Sequence, residues 1–280
     1  MTPVSWPAPA KLNLFLHITG RREDGYHLLQ SVFQFLDFGD EITISVRDDR
    51  DIRRLNELAG VPAEQDLVVR AARLLQQHSD CSLGADIRVE KRLPMGGGLG
   101  GGSSDAATVL VALNRLWGLN LTAETLATLG LQLGADVPVF VYGHAAWAEG
   151  VGEILQPVEL PEPWYLVIIP PVEVSTAEIF SDPELTRECQ AIKIRDFLAG
   201  DGGNVCQSVA ARRYPEIERA LTWLGQFADA KMTGTGSCIF AAFADQGEAE
   251  AVRRQFPAGW QGFVAKGSNR SALYKRLGEF

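Results

Sequence analysis

The first regular pattern in the chain is an alternation of polar and apolar positions from Lys11 to His17, which predicts a β-strand. Three leucines fall on one face of this strand. Lys11 and Asn13 fall side by side on the other face. A lysine near a strand end is most often a solvated edge charge, so the pattern alone assigns no chemistry to Lys11.

The next apolar runs predict a hairpin and then a helix. Residues 31–38 and 41–46 are interpreted as two strands around the turn residues Gly39 and Asp40. Residues 47–64 are charged and irregular, which predicts an exposed excursion. Apolar residues then recur at helical spacing from Leu67, and Asp66 stands where an N-cap is expected.

A glycine-rich stretch separates the following strand from the following helix. Residues 86–92 alternate as a strand does, and residues 106–117 carry apolar positions at helical spacing. Six glycines lie within the seven positions 96–102. Ser103 or Ser104 is a ready N-cap for the helix. The predicted order is therefore strand, glycine loop and capped helix.

This order predicts an anion site at the glycine loop. Glycines adopt positive φ and let the backbone approach a ligand closely. Consecutive N–H groups and the start of a helix then favour a polyphosphate. A flexible linker is the alternative, but a linker does not sit tightly between a strand and a helix. The spacing G-x-G-x-x-G also occurs, yet neither a first βαβ unit nor a Walker lysine accompanies it.

Two further positions are candidates for chemistry. Asp136 lies in an apolar segment beside a proline, and such an aspartate serves as a general base, a metal ligand or a helix N-cap. The pair Tyr26 and His27 ends a polar turn. It could stack on and hydrogen-bond a planar ligand, or it could be an ordinary surface pair.

The second half of the chain predicts a split β-α-β-β-α-β arrangement. A boundary is predicted near residue 160, which gives domains 1–160 and 161–280. After it come a strand at 165–169 and a short helix that is opened by a capping box at Ser175 and carries Phe180. Helices, further strands and a hydroxyl-rich glycine turn at 233–237 follow. This turn is expected to meet the phosphate loop across a ligand.

Composition narrows the class of protein. The 280 residues carry a net charge of -9, which argues against a general nucleic-acid coat. The four cysteines are scattered without a C-x-x-C pair, as expected for reduced thiols in a cytoplasm. Neither a signal segment nor an apolar run long enough to span a bilayer is expected from the sequence.

Three separated motifs together resemble the GHMP kinase superfamily. They are Pro9-Ala10-Lys11-Leu12-Asn13-Leu14, the stretch from Pro94 to Ser104, and Thr233-Gly234-Thr235-Gly236-Ser237. Three more segments resemble the members of that superfamily that act on the cytidine diphosphate ester of methylerythritol. They are Arg22-Glu23-Asp24-Gly25-Tyr26-His27, Gly134-Ala135-Asp136-Val137-Pro138-Val139-Phe140 and Phe263-Val264-Ala265-Lys266-Gly267.

The resemblance implies an α+β fold with a ribosomal-S5-like first domain, a ferredoxin-like second domain and an active site in the cleft between them. It also implies ATP-dependent phosphorylation of the 2-hydroxyl of the cytidine diphosphate ester, in non-mevalonate isoprenoid precursor synthesis. Mg²⁺ is expected with ATP, with no protein ligand assigned. The expected partners are small molecules, without nucleic acid or membrane, and the protein is expected to be a cytoplasmic monomer or weak homodimer.

The resemblance also implies roles for individual residues. Lys11 and Asp136 match the catalytic lysine and the catalytic base. The residues implied to hold the ATP phosphates are Pro94, Met95, Gly96, Gly97, Gly98, Leu99, Gly100, Gly101, Gly102, Ser103 and Ser104. The residues implied to contact the acceptor substrate are Asn13, Tyr26, His27 and Phe180. The residues implied to support the site from the late turn are Gly234, Thr235, Gly236 and Ser237. Asp66 departs from the asparagine that members often carry for adenine, and a carboxylate offers acceptors alone.

Overall fold

The computed structural model describes residues 2–23 and 25–279, so Asp24 of the polar turn lies outside the described residues. Its strands are β1 (Val4–Arg21), β2 (His27–Arg47), β3 (Ile52–Arg54), β4 (Gly84–Glu90), β5 (Ala146–Glu149), β6 (Ile154–Pro157), β7 (Trp164–Ile169), β8 (Lys231–Met232), β9 (Ile239–Phe243) and β10 (Gln261–Ser268). Its α-helices are α1 (Leu67–Ser79), α2 (Gly101–Leu116), α3 (Ala123–Leu131), α4 (Val137–Tyr142), α5 (Thr176–Ser181), α6 (Ile194–Leu198), α7 (Val205–Arg213), α8 (Pro215–Leu224), α9 (Gln246–Arg253) and α10 (Ala272–Leu277).

The predicted hairpin at 31–46 is wrong, because β2 runs without a turn from His27 to Arg47. It pairs with β1 along most of its length, and the register shifts between Pro9 and Lys11. Gly39 allows β1 and β2 to approach each other closely and does not form a turn. A Cβ at Gly39 would collide with the carbonyl oxygen of Ala8 on β1. The predicted irregular excursion after β2 contains one short strand, β3, which lies parallel to β4.

The second half of the chain confirms the predicted split arrangement. Strands β10, β7, β9 and β8 lie in that order, and every pairing among them is antiparallel. Strand β10 also pairs with β2 through Gly267 and Ser268, opposite Leu36 and Phe35. The described strands of both halves therefore form one continuous sheet.

Two large hydrophobic clusters lie along this sheet. One packs α1 and α2 against β2 and β4, and includes Trp6 and Phe140. The other packs α7 and α8 against β7 and β9, and includes Leu16 of β1. Helix α10, which was not predicted, returns to the first half and buries Leu273 in its cluster. The predicted boundary at residue 160 lies between β6 and β7 and stays a prediction.

The start of α2 differs from the sequence prediction. The helix begins at Gly101, and its N-cap is Gly100 at φ 73°, so neither serine is the cap. Gly100 lies too close to the ring of Phe140 for a side chain, since a Cβ would come within 2.8 Å of its Cζ. The Ser104 hydroxyl instead donates to the carbonyl oxygen of Pro9 at 2.7 Å, which joins α2 to β1. In contrast, Asp66 does cap α1, as predicted, by accepting from the Val68 N–H.

Candidate active site

The glycine loop between β4 and α2 is fixed by its carbonyl groups. The Leu99 carbonyl accepts from the Lys11 N–H at 3.0 Å, and the Gly97 carbonyl accepts from the Cys238 N–H at 3.1 Å. The Gly98 carbonyl accepts from the Thr233 hydroxyl at 3.2 Å and from the Lys11 ammonium at 3.0 Å. The loop is thus held between β1 and the 233–237 turn, so the two glycine segments are in direct contact. That they also meet across a ligand stays a prediction.

Gly98 and Gly96 show that the two sides of this loop have different surroundings. At Gly98, with φ 77°, a Cβ would collide with the carbonyl oxygen of Thr233. At Gly96, with φ 68°, a Cβ would meet nothing within 4 Å. One side of the loop therefore packs against protein, while the other faces open space. The first N–H groups of α2 also lack intrahelical acceptors, as at any helix start.

That open space is a cavity of about 1230 Å³ lined by residues of both halves of the chain. It contains Lys11, Asp136, Asn13, Tyr26, His27 and Phe180, together with residues 94–103 and 234–236. Ser104 and Ser237 are buried and do not line it. Both donors of Ser104 are taken within the protein, since its N–H also bonds to the Gly100 carbonyl.

Lys11 and Asp136 form an ion pair inside this cavity. The Lys11 Nζ lies 3.2 Å from Asp136 Oδ2. The lysine side chain is 3% exposed, whereas the aspartate side chain is 36% exposed. Asp136 stands at the N-cap position of α4, but its side chain makes no capping hydrogen bond. Its carboxylate is therefore accessible from the cavity on one side and held by an ammonium on the other.

Asn13 fixes the lysine and connects it to the late turn. Its Oδ1 accepts from the Lys11 ammonium, and its Nδ2 donates to the Ser31 hydroxyl at 2.8 Å. Its backbone N–H donates to the Thr233 hydroxyl at 2.9 Å. The predicted side-by-side placement of Lys11 and Asn13 on β1 is confirmed, and both side chains are buried rather than solvated.

The aromatic residues lie at another part of the cavity. The rings of His27 and Phe180 stack with centroids 4.9 Å apart and an interplanar angle of 17°. Tyr26 is 63% exposed and lines the same cavity. Burial, followed by the positive charges of Arg187 and Arg21, lowers the pKa of His27 below its usual value. His27 is therefore neutral near pH 7.

A buried charge cluster beneath the glycine loop was missed by the sequence reasoning. The Lys91 ammonium bonds to Asp40 and lies 2.8 Å from Asp105 Oδ2. Asp40 also accepts from the N–H groups of Arg92 and Leu93 at 2.6 and 2.8 Å. Burial raises the pKa of Asp105 to about 7 against the opposing effect of Lys91. Asp105 Oδ1 has no hydrogen-bond partner in the part of the chain that the structure describes. The signal available in the sequence was an aspartate three positions after the last glycine of the stretch.

Asp66, which stands where family members often carry asparagine, has two partners in the structure. Asp66 Oδ1 accepts from the Val68 N–H at 3.0 Å, and Oδ2 lies 2.6 Å from the Arg54 guanidinium. Arg54 is itself held by the carbonyls of Asn56 and Val61. The carboxylate at this edge of the cavity is therefore paired with a cation that an asparagine would not need.

The described residues contain neither a three-residue metal-binding cluster nor a membrane-spanning helix. In residues 2–23 and 25–279, no three His, Cys, Asp or Glu side chains come together as a metal site requires. Within those same ranges, no helix has both the length and the hydropathy needed to cross a membrane.

Comparisons with known proteins agree with this geometry. Residues 66–144 match the family described as GHMP kinases N terminal domain, and residues 189–262 match GHMP kinases C terminal. A 4-diphosphocytidyl-2-C-methyl-D-erythritol kinase of Nitrosococcus oceani is 62% identical over 96% of both chains. The protein of that name from Pseudomonas syringae pv. syringae is 61% identical over 97% of this chain and 96% of its own.

A solved structure has the same fold and a related sequence. The crystal structure of a 4-(cytidine 5'-diphospho)-2C-methyl-D-erythritol kinase superposes with a TM-score of 0.82 at 30% identity, covering 95% of this chain and 99% of that one. The α+β fold expected from the motifs is confirmed. The chain therefore belongs to the GHMP kinases and, within them, to the 4-diphosphocytidyl-2-C-methyl-D-erythritol kinase family.

Proposed function

We propose that the protein transfers the γ-phosphoryl group of ATP to the 2-hydroxyl of 4-diphosphocytidyl-2-C-methyl-D-erythritol, a step of non-mevalonate isoprenoid precursor synthesis. It is a phosphotransferase with an alcohol acceptor, as its named relatives are. The observation that carries the proposal is the Lys11–Asp136 pair, 3.2 Å apart, in the cavity that the glycine loop also lines.

In this proposal, Asp136 accepts the proton of the acceptor hydroxyl. The oxygen then forms the new bond to the γ-phosphorus as the bond between that phosphorus and the bridging oxygen of ADP breaks. Lys11 offsets the negative charge around the transferring group, since its ammonium contacts both Asp136 and the Gly98 carbonyl of the loop. Phosphoryl transfer depends mostly on such placement and charge stabilisation.

The glycine loop fits a nucleotide polyphosphate. Residues 94–103 line the cavity, the Gly96 side of the loop is open, and α2 begins at the loop with unsatisfied N–H groups. We therefore assign the phosphates to residues 94–103. Ser104 supports the loop from behind by bonding to Pro9.

Mg²⁺ fits the site as part of the nucleotide. Mg²⁺ keeps several waters and often binds through substrate phosphates and few protein groups. The Ser103 side chain is the hydroxyl of the loop that lines the cavity. When bound, the ion would supply charge neutralisation at the phosphates.

The aromatic end of the cavity fits a pyrimidine. Tyr26 and Phe180 offer ring faces, and His27 offers a neutral ring nitrogen to a polar edge. Asn13 is the proposed polar contact near the reacting hydroxyl. We further propose that the protein acts in the cytoplasm on small molecules alone, without nucleic acid or membrane, as a monomer or weak homodimer.

The test is ADP formation by the purified protein with Mg²⁺-ATP and the cytidylyl substrate. Galactose, homoserine and mevalonate serve as competing acceptors under the same conditions. We expect turnover with the cytidylyl substrate alone, and a new phosphomonoester at its 2-hydroxyl in the phosphorus NMR spectrum. Turnover with another acceptor instead, or ATP binding without ADP release, would contradict the proposal.

A further inference from the structure

Arg187 makes an unusual set of contacts at the edge of the aromatic end. Its Nη2 donates to the carbonyls of Phe180 and Asp182, both at 2.8 Å, and its Nη1 donates to the Leu185 carbonyl at 3.1 Å. The guanidinium thus binds three carbonyl groups, one in the last turn of α5 and two in the segment that follows it. A planar fork of donors suits this task better than an ammonium does. None of the roles discussed above uses Arg187.

The same segment is anchored a second time on α7. The buried Asp182 carboxylate lies 2.9 Å from the Arg212 Nη2 and 2.9 Å from the Arg213 Nε. It also accepts from the Glu184 N–H at 3.0 Å. The turn from 180 to 187 is therefore held at Asp182 by α7 and at the Phe180 carbonyl by Arg187.

Phe180 in turn carries the imidazole of His27. The two rings stack, and within residues 2–23 and 25–279 the buried His27 Nε2 has no hydrogen-bond partner. Among the described residues, the charged groups that act on this imidazole are Arg187 and Arg21, both positive. Arg21 is itself held to the Gly25 carbonyl by its Nε at 3.1 Å. Arg187 thus contacts the segment that carries Phe180 and, after burial, is the next cause of the lowered pKa of His27.

We propose that Arg187 is a positioning residue for the acceptor substrate: its guanidinium fixes the turn that carries Phe180, and with it the Phe180 ring and the His27 imidazole that stacks on that ring. The inference rests on the proposed function in one respect, since it takes the acceptor to carry a pyrimidine. Arg187 does not touch the reacting atoms in this scheme. Its removal therefore acts on acceptor binding and leaves ATP binding and the chemical step largely intact.

The test compares Arg187→Met and Arg187→Lys with the control Arg212→Met. Arg212 belongs to the same network, but Arg213 still holds Asp182 when Arg212 is lost. We expect Arg187→Met to raise the KM of the cytidylyl substrate about tenfold, with kcat and the KM of ATP within about threefold of the wild type. Arg187→Lys keeps the charge but loses the planar set of donors. Its KM for the cytidylyl substrate is therefore expected to lie between those of the wild type and Arg187→Met. Arg212→Met is expected to resemble the wild type.

A second measurement needs no substrate. The imidazole of His27 is titrated by NMR in the wild type and in both Arg187 variants, with His27→Asn used to assign its signal among the four histidines. Loss of the neighbouring charge is expected to move the His27 midpoint to higher pH in Arg187→Met, and not in Arg187→Lys.

The outcomes separate the two proposals. An Arg187→Met variant with an unchanged KM for the acceptor, an equal rise in both KM values, or an unmoved His27 midpoint would overturn the role of Arg187. If Arg187→Met does not fold, the acceptor KM of Arg187→Lys decides. Failure of the proposed function shows instead in the wild type, which would form no ADP with the cytidylyl substrate, and the titration would still test Arg187.

Discussion

The Nζ atom of Lys11 lies 3.2 Å from Oδ2 of Asp136, with the lysine buried and the aspartate facing the cavity. The lysine reaches this place from β1, and the aspartate reaches it from the start of α4, 125 positions later by their numbers. Because Lys11 also bonds to Asn13 and to the Gly98 carbonyl, its ammonium has a fixed direction. A proton acceptor is thereby held next to the loop proposed to carry the phosphates.

Asp136→Asn is expected to lower kcat by about 10²- to 10⁴-fold, the range of a lost general base. The amide keeps the size of the side chain but cannot take the hydroxyl proton at a useful rate. The KM of ATP is expected to stay within about twofold, because the loop is unchanged. Steady-state kinetics measure both constants, and a near-normal kcat would exclude the base role.

Gly98→Ala is expected to destabilise the protein and weaken ATP binding. The new Cβ would collide with the Thr233 carbonyl, in addition to the strain of φ 77°. The matched control is Gly96→Ala, which has a similar φ of 68° and nothing within 4 Å. The control should lose about 1 to 2 kcal/mol of unfolding free energy from backbone strain alone, and Gly98→Ala should lose more.

Chemical denaturation of both variants measures the difference. If Gly98→Ala were no less stable than Gly96→Ala, the tight contact between the glycine loop and the 233–237 turn would have to be abandoned.

Tyr26→Ala is expected to raise the KM of the cytidylyl substrate by about tenfold, the scale of one lost stacking contact. Tyr26 is 63% exposed, so the thermal midpoint should hardly change. Steady-state kinetics with each substrate varied in turn, together with calorimetry, check both statements. An unchanged acceptor KM would contradict the assignment of Tyr26 to the base.

Asp105→Asn is expected to flatten the dependence of stability on pH. Burial raises the pKa of Asp105 to about 7, whereas an unfolded aspartate titrates near 3.8. Between these values the folded state binds more protons than the unfolded state, so this carboxyl lowers stability as pH rises from about 4 to 7. Lys91 keeps Asp40 as a partner in the variant.

Thermal unfolding of wild type and Asp105→Asn at pH 5 and pH 8 tests this. The variant should gain stability relative to the wild type at pH 8 compared with pH 5. Parallel curves for the two proteins would show that Asp105 does not carry the extra proton.

The local patterns of the chain predicted most of the elements, and the errors have identifiable causes. Asp66 and Ser175 cap the predicted helices because a side-chain acceptor next to a helical run acts over a few residues. Gly39 resembled a turn residue, but its reason is the passage of β1 beside it. A close approach between distant segments requires glycine just as a turn does, so the residue type alone does not distinguish the two.

Contacts between distant positions were the part of the site that sequence reasoning could not supply. The face shared by Lys11 and Asn13 followed from strand alternation. The cluster of Asp40, Lys91 and Asp105 did not, because its members come from within β2, from the end of β4 and from α2, which meet only after folding. Arg187 was missed for a different reason: its partners are nearby carbonyl groups, which every residue has and which leave no pattern in the sequence.

The pairing of β10 with both β2 and β7 limits how the protein can open. Moving the two halves apart as rigid bodies would break the hydrogen bonds that β10 makes with β2. Because β2 and β10 pair across the two halves, a polypeptide cut between residues 160 and 161 would leave two complementary strand edges, one on each piece. The two pieces could recombine through these strands.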